Sequence, residues 1–278
     1  MKRVMSNNLK MFDITLRDGL QSLKQVVPLE KKKELANFIY NTYHPSAMEI
    51  GSIVSHKHVP QMDNSIEVYN YCVEQKFNTD LFMLTPNMYA LKMAKKEGIK
   101  NFSFITSVSN EFQLKNTNKT LDETKAELRE MVKLLDSDDK VKIYISCINE
   151  CPIAGKISDT DIAMELYYYV YNSFEIHQLC LSDTCGTLDL YSFNEIIKQI
   201  RGSINIKRIS LHLHKNATNT DTPLIIETAK LFGINSFDVS AISNMGGCAM
   251  TIDPKKNLPP NLHYSDVDED YECFKDSL

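Results

Sequence analysis

Two kinds of hydrophobic pattern alternate along nearly the whole chain. Short apolar runs bounded by polar or turn residues predict strands at 10–16, 46–51, 79–84, 101–106, 140–146, 176–182, 206–213 and 235–240. Between them lie segments with helical pattern near 28–43, 63–76, 87–97, 120–136, 158–173, 189–201 and 219–232. Two of these open on capping residues, Thr120-Leu121-Asp122-Glu123 and Ser158-Asp159-Thr160-Asp161. Gly98 and Gly233 fall just past a helix, where a left-handed cap is expected.

Many of the strands are continuous apolar runs, as in a parallel sheet covered on its outer face. Eight such strands with intervening helices predict an α/β fold of the (β/α)8 TIM-barrel type. An open doubly wound sheet would carry a glycine-rich phosphate turn after its first strand, but here that turn reads Arg17-Asp18-Gly19. With no internal repeat or long linker, residues 1–278 are expected to form one catalytic domain. Its irregular tail, about 259–278, follows a loop containing Pro254, Pro259 and Pro260, so the last helix is expected to be short or missing.

Composition narrows the class only a little. A hydrophobic content of 43% and a charged content of 24% over 278 residues suit a globular protein with a sizeable core. A net charge of −5 argues against nucleic acid or an anionic membrane as the main partner. No apolar run approaches the roughly 20 residues that span a bilayer. The seven cysteines have no regular spacing, and only about ten residues precede the first strand, so a reducing, cytoplasmic setting is expected.

In a (β/α)8 barrel the reactive groups sit at the carboxyl ends of the strands. Arg17, Asp18 and Gln21 follow strand one, and Glu49 lies in strand two. Ser146 and Cys147 end strand five, and Asp183 follows strand six. His212 and His214 end strand seven, and Gly246-Gly247-Cys248 follows strand eight. Residues two apart on a strand share a face, so His212 and His214 point the same way. With Asp18 they form a mixed oxygen and nitrogen set that leaves coordination positions open, suited to Mg²⁺, Mn²⁺, Co²⁺ or Zn²⁺ as a Lewis acid. Arg17 offers a positive fork to a carboxylate or developing enolate, or an ion pair to Glu49 or Asp183. Cys248, in a glycine turn, is a candidate proton donor or nucleophile.

Together these residues resemble the metal-dependent lyase and Claisen-type barrels (the metallolyase superfamily), and within them the 3-hydroxy-3-methylglutaryl-CoA lyases. The likeness runs from about residue 11 to 258. It includes Arg17-Asp18-Gly19-Leu20-Gln21 with Lys24, Val59-Pro60-Gln61-Met62, Gly155-Lys156-Ile157-Ser158, His212-Leu213-His214 and Gly246-Gly247-Cys248. The resemblance implies Asp18, His212, His214 and Asn257 as metal ligands, with Mg²⁺ or Mn²⁺ the expected cofactor. Arg17 is implied to stabilise the enolate oxygen, Glu49 and Asp183 to support the site, and Gln21 and Lys24 to meet substrate. His212 would also carry a proton, and Cys248 would stand near the reacting carbon. The implied reaction cleaves 3-hydroxy-3-methylglutaryl-CoA, or a related 3-hydroxyacyl-CoA, to acetyl-CoA and acetoacetate, by an enzyme that forms homodimers. Two alternatives stay open: an aldolase or Claisen-type enzyme on another hydroxy acid, and an inactive relative serving as a binding protein. Lys215 follows the histidine pair where the family pattern has an acid, which predicts an altered field beside the metal.

Overall fold

The expected strands close into a ring. The computed structural model describes residues 9–172, 176–216, 218–243, 246–247 and 259–271. Its strands are β1 (Lys10–Asp13), β2 (Ala47–Ser52), β3 (Asp80–Leu84), β4 (Asn101–Ser107), β5 (Lys140–Ser146), β6 (Glu150–Cys151), β7 (Gly155–Lys156), β8 (Gln178–Ser182), β9 (Ile209–His212) and β10 (Ser236–Val239). Eight of them pair in parallel as a closed barrel, in the order β1-β10-β9-β8-β5-β4-β3-β2. β6 and β7 form a separate antiparallel hairpin beyond the end of β5. The helices are α1 (Leu29–Tyr43), α2 (Ser65–Glu74), α3 (Met88–Lys96), α4 (Asn110–Thr117), α5 (Leu121–Val132), α6 (Asp159–Tyr171), α7 (Leu190–Ile200), α8 (Thr222–Phe232) and α9 (Tyr264–Val267). The (β/α)8 architecture expected from the sequence is therefore the one observed.

Strand alternation sorts the side chains into two cores. Residues such as Ile39, Ile143, Ile197 and Ile226 belong to the large cluster between strands and helices. Phe12, Ile14, Ala47 and Phe82 fill one layer of the barrel interior, and Leu84, Tyr144 and Cys180, with Ile105 against them, fill the next. Each fully buried large side chain stabilises the fold by roughly 1.5–3 kcal/mol relative to exposure. The helix starts follow their caps. Thr120 and Glu123 form a reciprocal capping box, and the Ser158 hydroxyl accepts from the Asp161 amide. Gly233 ends α8 at φ 89°, a conformation that disfavours any side chain.

Several elements depart from expectation: the β6–β7 hairpin was not expected, and the strand expected at 206–213 begins only at Ile209, after a 3-10 turn at Ile206–Arg208. The strand expected at 10–16 ends at Asp13, whose carboxylate accepts from the Thr15 amide and hydroxyl, both at 2.9 Å. Thr15–Gly19 then winds into a π turn, with the Gly19 amide donating to the Ile14 carbonyl at 3.1 Å. Helix α4 was not expected, because only Phe112 and Gln113 of its residues are buried and no apolar stripe marks it.

Among the described residues the last helix is α9, with four residues. The segment that carries it is nonetheless tied into the barrel. His214 bridges to Asn261 and Ser240 to His263, and the Tyr264 ring stacks on Tyr43 at 4.2 Å between centroids. The Tyr264 hydroxyl donates to Asp13 at 2.9 Å.

Candidate metal centre

Asp18, His212 and His214 meet at the carboxyl mouth. Each is buried, and one donor atom from each lies within 4.8 Å of the others. Asp18 reaches the mouth on the π turn, and His212 on the last residue of β9. His214 lies two residues further on, where the chain is held by its bridge to Asn261.

Each of these side chains is fixed by a neighbour. Arg17 donates from Nη1 to Asp18 Oδ1 at 2.5 Å and from Nε to Glu49 Oε2 at 2.6 Å. Tyr144 also donates to Glu49 Oε2, at 3.1 Å, and its ring lies 5.2 Å below the Arg17 guanidinium carbon. Asp18 Oδ2 accepts from the Gly247 amide at 3.2 Å and from Asn261 Nδ2 at 2.9 Å. His214 Nδ1 lies 2.8 Å from the Asp183 carbonyl, so Nδ1 carries the proton and Nε2 keeps its lone pair. His212 Nδ1 lies 3.2 Å from Asp238 Oδ2.

The electrostatics agree with this arrangement. Burial works against the charge on Asp18, but Arg17 and the two histidines outweigh it and hold the carboxyl well below its ordinary range. Burial likewise opposes charge on Arg17, yet Glu49 and Asp18 raise it well above the usual value, so the guanidinium is permanently charged. Burial lowers His212, with Asp238 opposing. In His214 the neighbouring Asp18 carboxylate outweighs burial and raises it.

Two buried atoms point to a missing partner. His214 Nε2 lies 3.9 Å from Asp18 Oδ2, too far for a hydrogen bond, and has no other hydrogen-bond partner. Asn261 Oδ1 is equally buried and unpaired, while its amide nitrogen serves Asp18. A lone pair and an amide oxygen beside a charged carboxylate fit a divalent cation. Asp18, His212, His214 and Asn261 are the residues that would hold it.

The other expected site residues are placed as follows. Arg17, Asp18, Gln21, Ser146, His212 and His214 line a cavity of about 690 Å³ at the mouth. Glu49 is buried behind Arg17 and shapes the site through it. The Asp183 carboxylate accepts from the Thr187 and Leu188 amides and does not line the cavity, so it is the carbonyl of Asp183 that supports the centre. Lys24 is exposed and is not part of the cavity wall. Cys147 is buried at φ +64°. Cys248 and Asn257 lie outside the described residues. Lys215 turns to Asp266 at 2.8 Å, which compensates its charge.

Three contributors were not expected. Asn261-Leu262 repeats the dipeptide Asn257-Leu258 four residues on, and it is Asn261 that the described residues bring to Asp18. Asp238 and Tyr144 carried a readable signal, since each is a polar group at an inward position of an apolar strand.

A closed (β/α)8 barrel with this Asp–His–His cluster at its mouth defines the class, a barrel metallolyase. The family model described as HMGL-like matches residues 8–220, and the chain belongs to that family as a hydroxymethylglutaryl-CoA-lyase-like enzyme. The cytoplasmic 3-hydroxy-3-methylglutaryl-CoA lyase of Mus musculus is 30% identical over 86% of this chain and 68% of its own. The mitochondrial hydroxymethylglutaryl-CoA lyase of Bos taurus is 29% identical over 90% of this chain and 75% of its own. Among solved structures, an HMG-CoA lyase from A. baumannii in complex with coenzyme A and 3-methylmalate superposes with a TM-score of 0.83, at 25% identity. That match covers 93% of this chain and 81% of the other.

Proposed function

We propose that this chain is a divalent-metal-dependent carbon–carbon lyase that cleaves 3-hydroxy-3-methylglutaryl-CoA, or a related 3-hydroxyacyl-CoA, to acetyl-CoA and acetoacetate. The observation that carries the reading is the meeting of Asp18, His212 and His214 beside the Arg17 guanidinium at the wall of one cavity, with Asn261 bonded to Asp18 behind them. Mg²⁺ or Mn²⁺, the expected cofactors, would supply Lewis acidity toward the substrate oxygens.

The chain's own groups supply the rest. Arg17 spends one N–H on Asp18 and one on Glu49, leaving further N–H groups for an oxygen that gains enolate charge. Because Glu49 and Tyr144 fix the guanidinium in advance, little reorganisation accompanies that charge. The reaction removes the C3 hydroxyl proton, breaks the C2–C3 bond and passes its electrons into the thioester enolate, which is then protonated at carbon. His212 is the expected proton carrier, a task its imidazole performs only while its lone pair is free of the cation. Cys248 is the expected donor to carbon. Apolar wall residues, including Val54, Leu84, Ile105 and Phe112, suit the substrate's alkyl portion. Gln21 lines the same wall and is expected to meet a polar end of the substrate.

Purified protein with Mg²⁺ or Mn²⁺ should release acetoacetate from 3-hydroxy-3-methylglutaryl-CoA. If a panel of 3-hydroxyacyl-CoA thioesters gives no product, the lyase reading fails. The expected setting is the cytoplasm, as a homodimer. Among the described residues no helix is long and apolar enough to cross a membrane.

A further inference from the structure

Deeper in the barrel than the metal centre, two buried charges stand at inward-facing positions of β5 and β10. Lys142 of β5 and Asp238 of β10 pair through Nζ and Oδ1, with side chains 1% and 0% exposed. The Lys142 ammonium also sits 3.5 Å from the centroid of the Phe12 ring and 4.6 Å from that of Tyr144. The second oxygen of Asp238, Oδ2, is 3.2 Å from His212 Nδ1, and the Cys180 thiol approaches the same oxygen at 3.8 Å.

A buried ion pair is poor evidence of a stabilising role, because well-packed apolar residues would serve a barrel interior as well or better. Its geometry, however, has a directional effect. An ammonium can only donate, so it fixes one carboxylate oxygen. The other oxygen is thereby aimed at His212, where it can only accept. Nδ1 of His212 must then be the donor, which leaves Nε2 unprotonated.

We propose that Asp238, held by Lys142, is a positioning residue that selects the ligand tautomer of His212, and that the pair thereby sets the metal affinity of the centre. The inference rests on the metal-centre reading above. It makes a prediction that a packing role does not. In D238N the amide oxygen would turn to the Lys142 ammonium and the amide nitrogen to His212. Nδ1 would become the acceptor, and the proton would move to Nε2, where it blocks coordination. Removing the ammonium as well frees the amide to turn round.

The test compares wild type, D238N and the double variant D238N/K142M, all metal-stripped. Titration calorimetry with MnCl2 should show Mn²⁺ binding weakened about 10- to 100-fold in D238N, the range for loss of a histidine-orienting partner, with part of the loss recovered in the double variant. Nitrogen-15 histidine NMR of the metal-free proteins should show His212 protonated on Nδ1 in wild type and on Nε2 in D238N. Unchanged Mn²⁺ affinity and an unchanged tautomer in folded D238N would overturn the proposal. If wild type binds no Mn²⁺, the metal-centre reading fails, while the NMR arm still decides whether Asp238 sets the tautomer. Should D238N not fold, D238E displaces the carboxylate by one methylene and is read by the same calorimetry. Wild-type affinity in D238E would count equally against the proposal.

Discussion

Asp13 and Asp18 lie five residues apart, and their surroundings drive them in opposite directions. Asp18 is held charged by Arg17 and the histidines, whereas burial pushes Asp13 up to about 7 despite hydrogen bonds from Thr15 and Tyr264. In the unfolded chain Asp13 would ionise near 3.8, so between pH 4 and 7 the folded state binds more protons than the unfolded one. Its contribution is therefore complete at low pH and declines as pH rises through 7. Urea midpoints measured from pH 4.5 to 7.5 should show this decline in wild type and a flatter profile in D13N; an equal slope in both would assign the decline elsewhere. At the centre, D18N should weaken Mn²⁺ binding by more than about 100-fold and N261A by about 10- to 100-fold, read by calorimetry. Intact binding in N261A would return the fourth ligand to another residue. The shared direction of His212 and His214 was legible because strand alternation fixes it. Asn261 was not, because it arrives by a bridge to His214 that no local pattern announces.

Among the elements, the seven expected helices and eight barrel strands follow from hydrophobic period and caps, which are local properties. The π turn does not. Met11 to Leu16 is apolar enough to continue a strand, and it is the Asp13 side chain that diverts the backbone by capturing Thr15. That diversion places Arg17 and Asp18 at the mouth. Helix α4 lacks an apolar stripe and depends on its cap, where Ser109 accepts from the Phe112 amide. The same logic gives a stability test at α5. T120A removes one half of a capping box and should cost about 1 kcal/mol in denaturant unfolding, with metal affinity unaltered. Gly246 is a stricter case. At φ +95°, an added Cβ would fall 2.0 Å from Asn261 Nδ2. G246A should therefore impair Mn²⁺ binding by displacing Asn261, and unchanged calorimetry would show that the loop yields instead.

For the whole molecule, the barrel was legible as a count of strands, but the docking of residues 259–271 onto it was not. Residues 259–271 dock through Asn261, His263 and Tyr264, and Lys215 is matched by Asp266. A cation that binds only the folded state should stabilise the entire barrel, by about 2.7 kcal/mol at one hundred times its dissociation constant. Thermal melts with and without Mn²⁺ should show that rise in wild type and none in D18N. A rise of equal size in D18N would place the ion at another site.

The pairing of β1 with β10 is the seam of the ring, where the first strand of the barrel meets the last. Asp18 stands on one side of it, while Gly247 and Asn261 approach from the other, 229 and 243 residues away along the chain. Loop closure over such a span costs more entropy than any other pairing in the barrel. During synthesis, a ribosome must therefore release the chain through Asn261 before both sides of the seam can meet at the centre. Metal capture would report that the seam has closed, and a nascent chain that has not reached Asn261 would lack that partner of Asp18.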